Sequence, residues 1–206
     1  MKNFIYLLLF TFISSCTIEQ HIHINADGSG RLEYSISGMS TDAMNGLLTD
    51  SLGVSDENVT GTEDTLKEEM NKFAETLRSV TGISEVKVDA DGKTGKYGVS
   101  FNFTSLDVLN KIPKETEPNA PDFFSGFKLE KKKFSYTPVK PVEKTEEVEN
   151  SMADMFKYKL VFSFEKKIKK CSNKNFTVSP DKHSITFEGN INDLNSDKTK
   201  VEVKLK

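Results

Sequence analysis

Apolar side chains alternate with polar ones along segment after segment of this chain, and that period of two commits most of it to β-strands with one buried face. Ile18, Ile22 and Ile24 share one side of an extended segment with Gln20, and Leu32, Tyr34 and Ile36 alternate beyond Asn25-Ala26-Asp27-Gly28-Ser29-Gly30. Asp and Asn bond their own backbone and Gly accepts positive φ, so that stretch predicts a hairpin turn. Val86 and Val88, then Tyr97, Val99, Phe101 and Phe103, give a second hairpin. The final third repeats the pattern in Tyr158, Leu160, Phe162 and Phe164, in Phe176 and Val178, in Ile185 and Phe187, and in Val201, Val203 and Leu205. Leu129 and Phe134 have opposite parity, so a bulge or a break is expected between them. One segment has a different period: Leu66, Met70, Phe73, Leu77 and Val80 line one face of a helix over about 63–81, with Gly82 as its stop. Shorter helices are expected after Ser40 and Ser105, with loops near 113–126 and 138–150. The predicted class is α+β: a mostly antiparallel sheet of hairpins and a C-terminal meander, packed against one long amphipathic helix.

The first residues follow another logic. Lys2 precedes an apolar run from Phe4 to Ile13, too short for the roughly 20 residues of a bilayer span but of the length of a secretory signal core. The run ends in Ile13-Ser14-Ser15-Cys16, which resembles the lipobox of a bacterial lipoprotein signal. That resemblance implies removal of residues 1–15, leaving a single domain over 16–206. It also implies a diacylglyceryl thioether on Cys16 and a further acyl chain, such as palmitate, on its amine. The first strand starts so soon after Cys16 that almost no tether separates domain from bilayer. Thr17, in place of Asp, points to the outer membrane on its periplasmic side.

Cys16, the Asp27-Gly28-Ser29-Gly30 turn, Gly38-Met39-Ser40, the helix, and the late Phe162-Ser163-Phe164 strand followed by a meander together resemble the LppM-type lipoprotein domain family. The resemblance implies an α+β envelope domain without assigned catalytic residues, so no active site is carried over.

Charge and motifs narrow the function further. The formal net charge is −3, and no block of one sign is long enough for a nucleic-acid arm. With Cys16 given to lipid, Cys171 has no partner for a disulfide; Lys169 and Lys170 adjoin it, but no resolving Cys does. No hydrolase elbow, P-loop, zinc-protease or dinucleotide signature occurs, so neither enzymatic activity nor a cofactor is expected. His21 and His23 fall on one strand face, where Glu19, Glu33 or the distant His183 would have to supply a third zinc ligand; an exposed polar face of an amphipathic strand is the plainer account of them. Asp89-Ala90-Asp91-Gly92 reads as a turn, not a calcium loop. Two lysine clusters, 131–133 and Lys166, Lys167, Lys169 and Lys170, suit protected strand edges or contact with lipid phosphates. The expected function is a lipid-anchored, non-enzymatic binding or assembly module whose partners are the membrane and an envelope protein or lipid. Two alternatives stand beside it: a carrier of hydrophobic ligands lined by Phe101, Phe103, Phe162 and Phe164, and a metal-dependent enzyme using His21 and His23.

Overall fold

The alternating segments become eleven strands in the computed structural model, which describes residues 16–38, 62–91, 95–112, 124–138, 156–190, 193 and 197–206. In chain order they are β1 (Cys16–Ile24), β2 (Gly30–Ser37), α1 (Thr62–Ser79), β3 (Ile83–Asp91), β4 (Lys96–Phe103), α2 (Leu106–Leu109), β5 (Phe127–Glu130), β6 (Lys133–Tyr136), β7 (Phe156–Phe164), β8 (Ile168–Cys171), β9 (Thr177–Val178), β10 (Ser184–Asn190) and β11 (Val201–Leu205). The expected signal segment 1–15, the short helix after Ser40 and most of the two long loops lie outside the described residues.

Local chemistry closes the first hairpin as its sequence predicts. Asp27 Oδ1 accepts from the Ser29 backbone N–H at 2.9 Å, Gly28 takes φ 88°, and Asn25 N–H donates to the Ser29 carbonyl at 2.8 Å. Between Leu129 and Phe134 the parity change is a tight hairpin turn, with Lys131 in the left-handed region at φ 56°.

The strands assemble into two sheets, one of seven strands in the order β3-β4-β2-β1-β7-β10-β9 and one of four in the order β5-β6-β11-β8. β1 lies in the interior of the larger sheet, antiparallel to β2 and parallel to β7. Its inward side chains Ile18, Gln20, Ile22 and Ile24 are all buried, and the Tyr158 hydroxyl of β7 donates to Gln20 Oε1, satisfying that buried amide oxygen.

This architecture corrects the expected α+β class: the fold is mostly β, built from two packed sheets, and no long amphipathic helix forms its second layer. The rings of Phe127, Phe134 and Tyr136 from the small sheet meet Phe162 of β7 at centroid distances of 6.1, 5.0 and 5.3 Å. These contacts occupy the place expected for the helix. α1 instead packs mainly on β3 and β4, burying Ala74 and Leu77, while Phe73 stacks on Phe124 beside the larger sheet. The physical reason is that period two gives every strand a buried face without saying which sheet it joins. β5, β6, β8 and β11 are only four or five residues long and pair among themselves, so their inward rings form a second layer.

Candidate functional site

Cys16 is the first residue of β1, paired with Phe156 of β7 and only 6% exposed. Burial pushes its thiol up to about 11, so the free sulfur is protonated at neutral pH and is no nucleophile. The lipobox residues Ile13, Ser14 and Ser15 lie outside the described residues. Cys171, half-buried on β8, is likewise pushed up by burial, which leaves its thiol without the low-pKa setting of a redox site.

The outer face of the larger sheet collects the histidines. Because Ile22 and Ile24 point inward, His21 and His23 point outward, with Glu33 and Arg31 opposite them on β2 and Val161 and Ser163 opposite on β7. Ser163 Oγ lies 3.0 Å from His21 Nε2 and 3.0 Å from His23 Nδ1. One hydroxyl can donate to one ring and accept from the other. Burial lowers the pKa of His21; Glu33 and Glu19 oppose that shift, whereas His23 and Lys159 reinforce it. Sequence reasoning missed Ser163 as the partner because it is about 140 residues from either histidine. Only the parallel pairing of β1 with β7 brings them together.

Among the described residues, no third metal ligand joins the pair. Glu19 is bound to Lys159 at 2.9 Å and Glu33 to Arg31 at 2.9 Å, and His183 turns its Nδ1 to the Phe164 carbonyl at 2.9 Å. Among the described residues no group of three or more His, Cys, Asp or Glu side chains is arranged to hold a metal ion. Nor does the triad resemble an acyl-transfer site, since the neighbouring mid-strand backbone N–H groups are engaged in the sheet ladders and are not free for a developing oxyanion.

Two shallow depressions flank the triad on this face. One, of about 260 Å³, includes His23, Asn25, Ser29, Arg31 and Asn102; the other, of about 400 Å³, includes Lys159, Asn175, Thr177, Thr186 and Glu188. Arg31 spreads its guanidinium over Glu33, Ser100 Oγ at 2.7 Å and Asn102 Oδ1 at 3.3 Å. This fork was not foreseen, because β2 and β4 are joined by no local turn. The four Phe rings of the carrier alternative are all buried, at 0–2% exposure, and Phe162 is packed on other rings instead of facing open space.

The lysine clusters lie away from Cys16. Glu165 N–H donates to the Ile24 carbonyl at 3.1 Å, so Lys166 and Lys167 follow β7 at the end of β1 opposite Cys16. Lys169 and Lys170 belong to β8, and 131–133 form the β5–β6 turn and the start of β6.

Comparison with known proteins gives a remote likeness in structure. No family model matches the chain, and no curated protein matches it. Among solved structures, the NMR structure of the folded domain of the Mycobacterium tuberculosis LppM protein is similar over 93% of this chain and 90% of that one, at 9% identity and a TM-score of 0.43.

Proposed function

We propose that this chain is a lipid-anchored protein of the bacterial cell envelope, held through Cys16 at the periplasmic side of the outer membrane, where its domain serves as a non-enzymatic binding or assembly module. The observation that carries the reading is the sequence Ile13-Ser14-Ser15-Cys16 behind the apolar run Phe4–Ile13, with Cys16 itself opening β1. More than one acyl chain makes the attachment lasting, at about 0.8 kcal/mol per buried CH₂. A strand that starts at the anchored residue leaves almost no slack, so the domain works within its own diameter of the bilayer.

The non-enzymatic reading is supported by the chemistry of the histidine face. His21, His23 and Ser163 satisfy one another, and the nearest carboxylates are committed to Lys159 and Arg31. The test is metabolic labelling with radioactive palmitate in the native bacterium, followed by membrane fractionation. Wild type is expected to label and to sediment with membranes, whereas Cys16→Ser is expected to lose both properties. A Cys16→Ser protein retained in membranes like wild type would refute the anchor.

A further inference from the structure

At one end of the four-stranded sheet, the outer face lines up lysines from three strands. Lys204 of β11 lies directly opposite Lys133 of β6 on one side and Lys170 of β8 on the other. Cross-strand partners have Cβ atoms about 4.5–5.5 Å apart, where like charges destabilise a sheet. A register shift at Lys204/Leu205 then lets β8 fit Lys169 in as an extra exposed residue. Two backbone bonds gather more lysines at the same end: Lys206 N–H to the Lys167 carbonyl at 2.9 Å, and Leu205 N–H to the Lys132 carbonyl at 2.7 Å. Three segments far apart in sequence therefore build one basic surface on a chain whose net charge is −3.

Neighbouring carboxylates neutralise it only in part, at Lys133. Glu202 is bound to Lys133 at 2.8 Å, Glu130 to Lys128 at 2.6 Å, and Glu165 accepts from the Ala26 N–H at 2.7 Å. The side-chain types say what such a surface fits. Both arginines of the chain, Arg31 and Arg78, lie elsewhere, so the bidentate fork that singles out one phosphate is missing, and flexible point charges remain. The exposed positions of these strands hold Lys, Glu and Ser without an aromatic ring, so no platform exists for stacking bases. A flat array of lysines matches a plane of phosphate headgroups.

We propose that the lysines of 131–133, 166–170 and 204–206 form a contact surface for an anionic phospholipid bilayer, separate from the Cys16 anchor. β1 is nine residues long, and at about 3.3 Å per residue its two ends are roughly 26 Å apart. That span exceeds the Debye length of about 8 Å at physiological salt, so the surface acts independently of the anchored end. Its attraction to lipid needs no acyl chain and does not depend on the anchor reading.

The experiment uses the full chain carrying Cys16→Ser and measures co-sedimentation with vesicles of phosphatidylcholine alone or mixed with phosphatidylglycerol. Reading the difference between the two lipids cancels insertion of the apolar run Phe4–Ile13. Binding is expected to favour the anionic vesicles and to fall as salt rises from about 0.1 M to about 1 M, where the Debye length shrinks to about 3 Å. Replacing Lys169, Lys170 and Lys204 together with Gln should weaken anionic binding about a hundredfold, since each lysine near the surface contributes about fivefold. Lys131→Gln with Lys132→Gln provides a second variant in a turn, with about a twenty-fivefold loss. Substituting Lys67, Lys72 and Lys87, which removes the same net charge elsewhere, should change binding less than about twofold. Equal binding to both lipids, an equal loss from the second triple variant, or tighter binding to duplex DNA than to anionic vesicles would overturn the proposal.

Discussion

The two sheets of this molecule differ in how their outward charges balance. On the larger sheet Glu19 meets Lys159, Arg31 meets Glu33, and two imidazoles share the Ser163 hydroxyl, so the face is internally satisfied. On the smaller sheet Lys204 stands between Lys133 and Lys170; Glu202 pairs with Lys133 and Glu130 with Lys128, which leaves an excess of lysine at that end. Exposed ion pairs are worth only about 0–1 kcal/mol each, so neither arrangement decides whether the chain folds. The difference shows where folding and binding part company. A satisfied face needs nothing more, while a row of like charges gains most from an outside anion.

Both faces rest on one aromatic interior, and the contrast between them fails if that interior is wrong. Phe162 of the larger sheet, with 0% exposure, touches rings of the smaller sheet and Phe176 just before β9, so Phe162→Ala should destabilise the protein by about 3–5 kcal/mol in urea unfolding. A loss below about 1 kcal/mol would mean that the sheets do not pack there. Lys204→Glu sharpens the contrast by giving Lys133 and Lys170 an opposite charge; it should stabilise by about 0.5–1 kcal/mol at low salt and by little at high salt. The smallest effect concerns pH and the larger sheet. Burial holds His21 below its ordinary value of 6.5 in the fold, so between the two pKa values the unfolded chain binds more protons. Stability should therefore be complete above about pH 6.5 and decline as pH falls through the folded pKa, and His21→Gln should flatten that decline. The lowered carboxylates Asp27, Asp181 and Asp193 titrate in the acid range and leave this window to the histidine. An unchanged pH profile in His21→Gln would remove the buried-imidazole account.

What the sequence disclosed follows from which interactions are local. The Asn25–Ser29 turn and the inward faces of β1, β4 and β7 could be read from residue type and parity, because Asp27, Gly28 and the alternating Phe and Ile act within a few residues. The pairing of β1 with β7 and of β2 with β4 was not legible, since no short turn connects either pair. The division into two sheets was hidden for the same reason, which is why the expected class was wrong. The site divided along the same line. His21 and His23 were visible as a pair, but Ser163 and the Arg31 fork come from strands that meet only in the fold. The lysine runs were likewise visible, whereas their alignment across β6, β11 and β8 needed the register.

Intact-mass spectrometry of the protein extracted from its native membranes tests the anchored state most directly. The account predicts a chain that begins at Cys16 and carries the added mass of a thioether-linked diacylglyceryl group with a further acyl chain. A chain that retains residues 1–15, or one whose Cys16 bears no lipid, would contradict it.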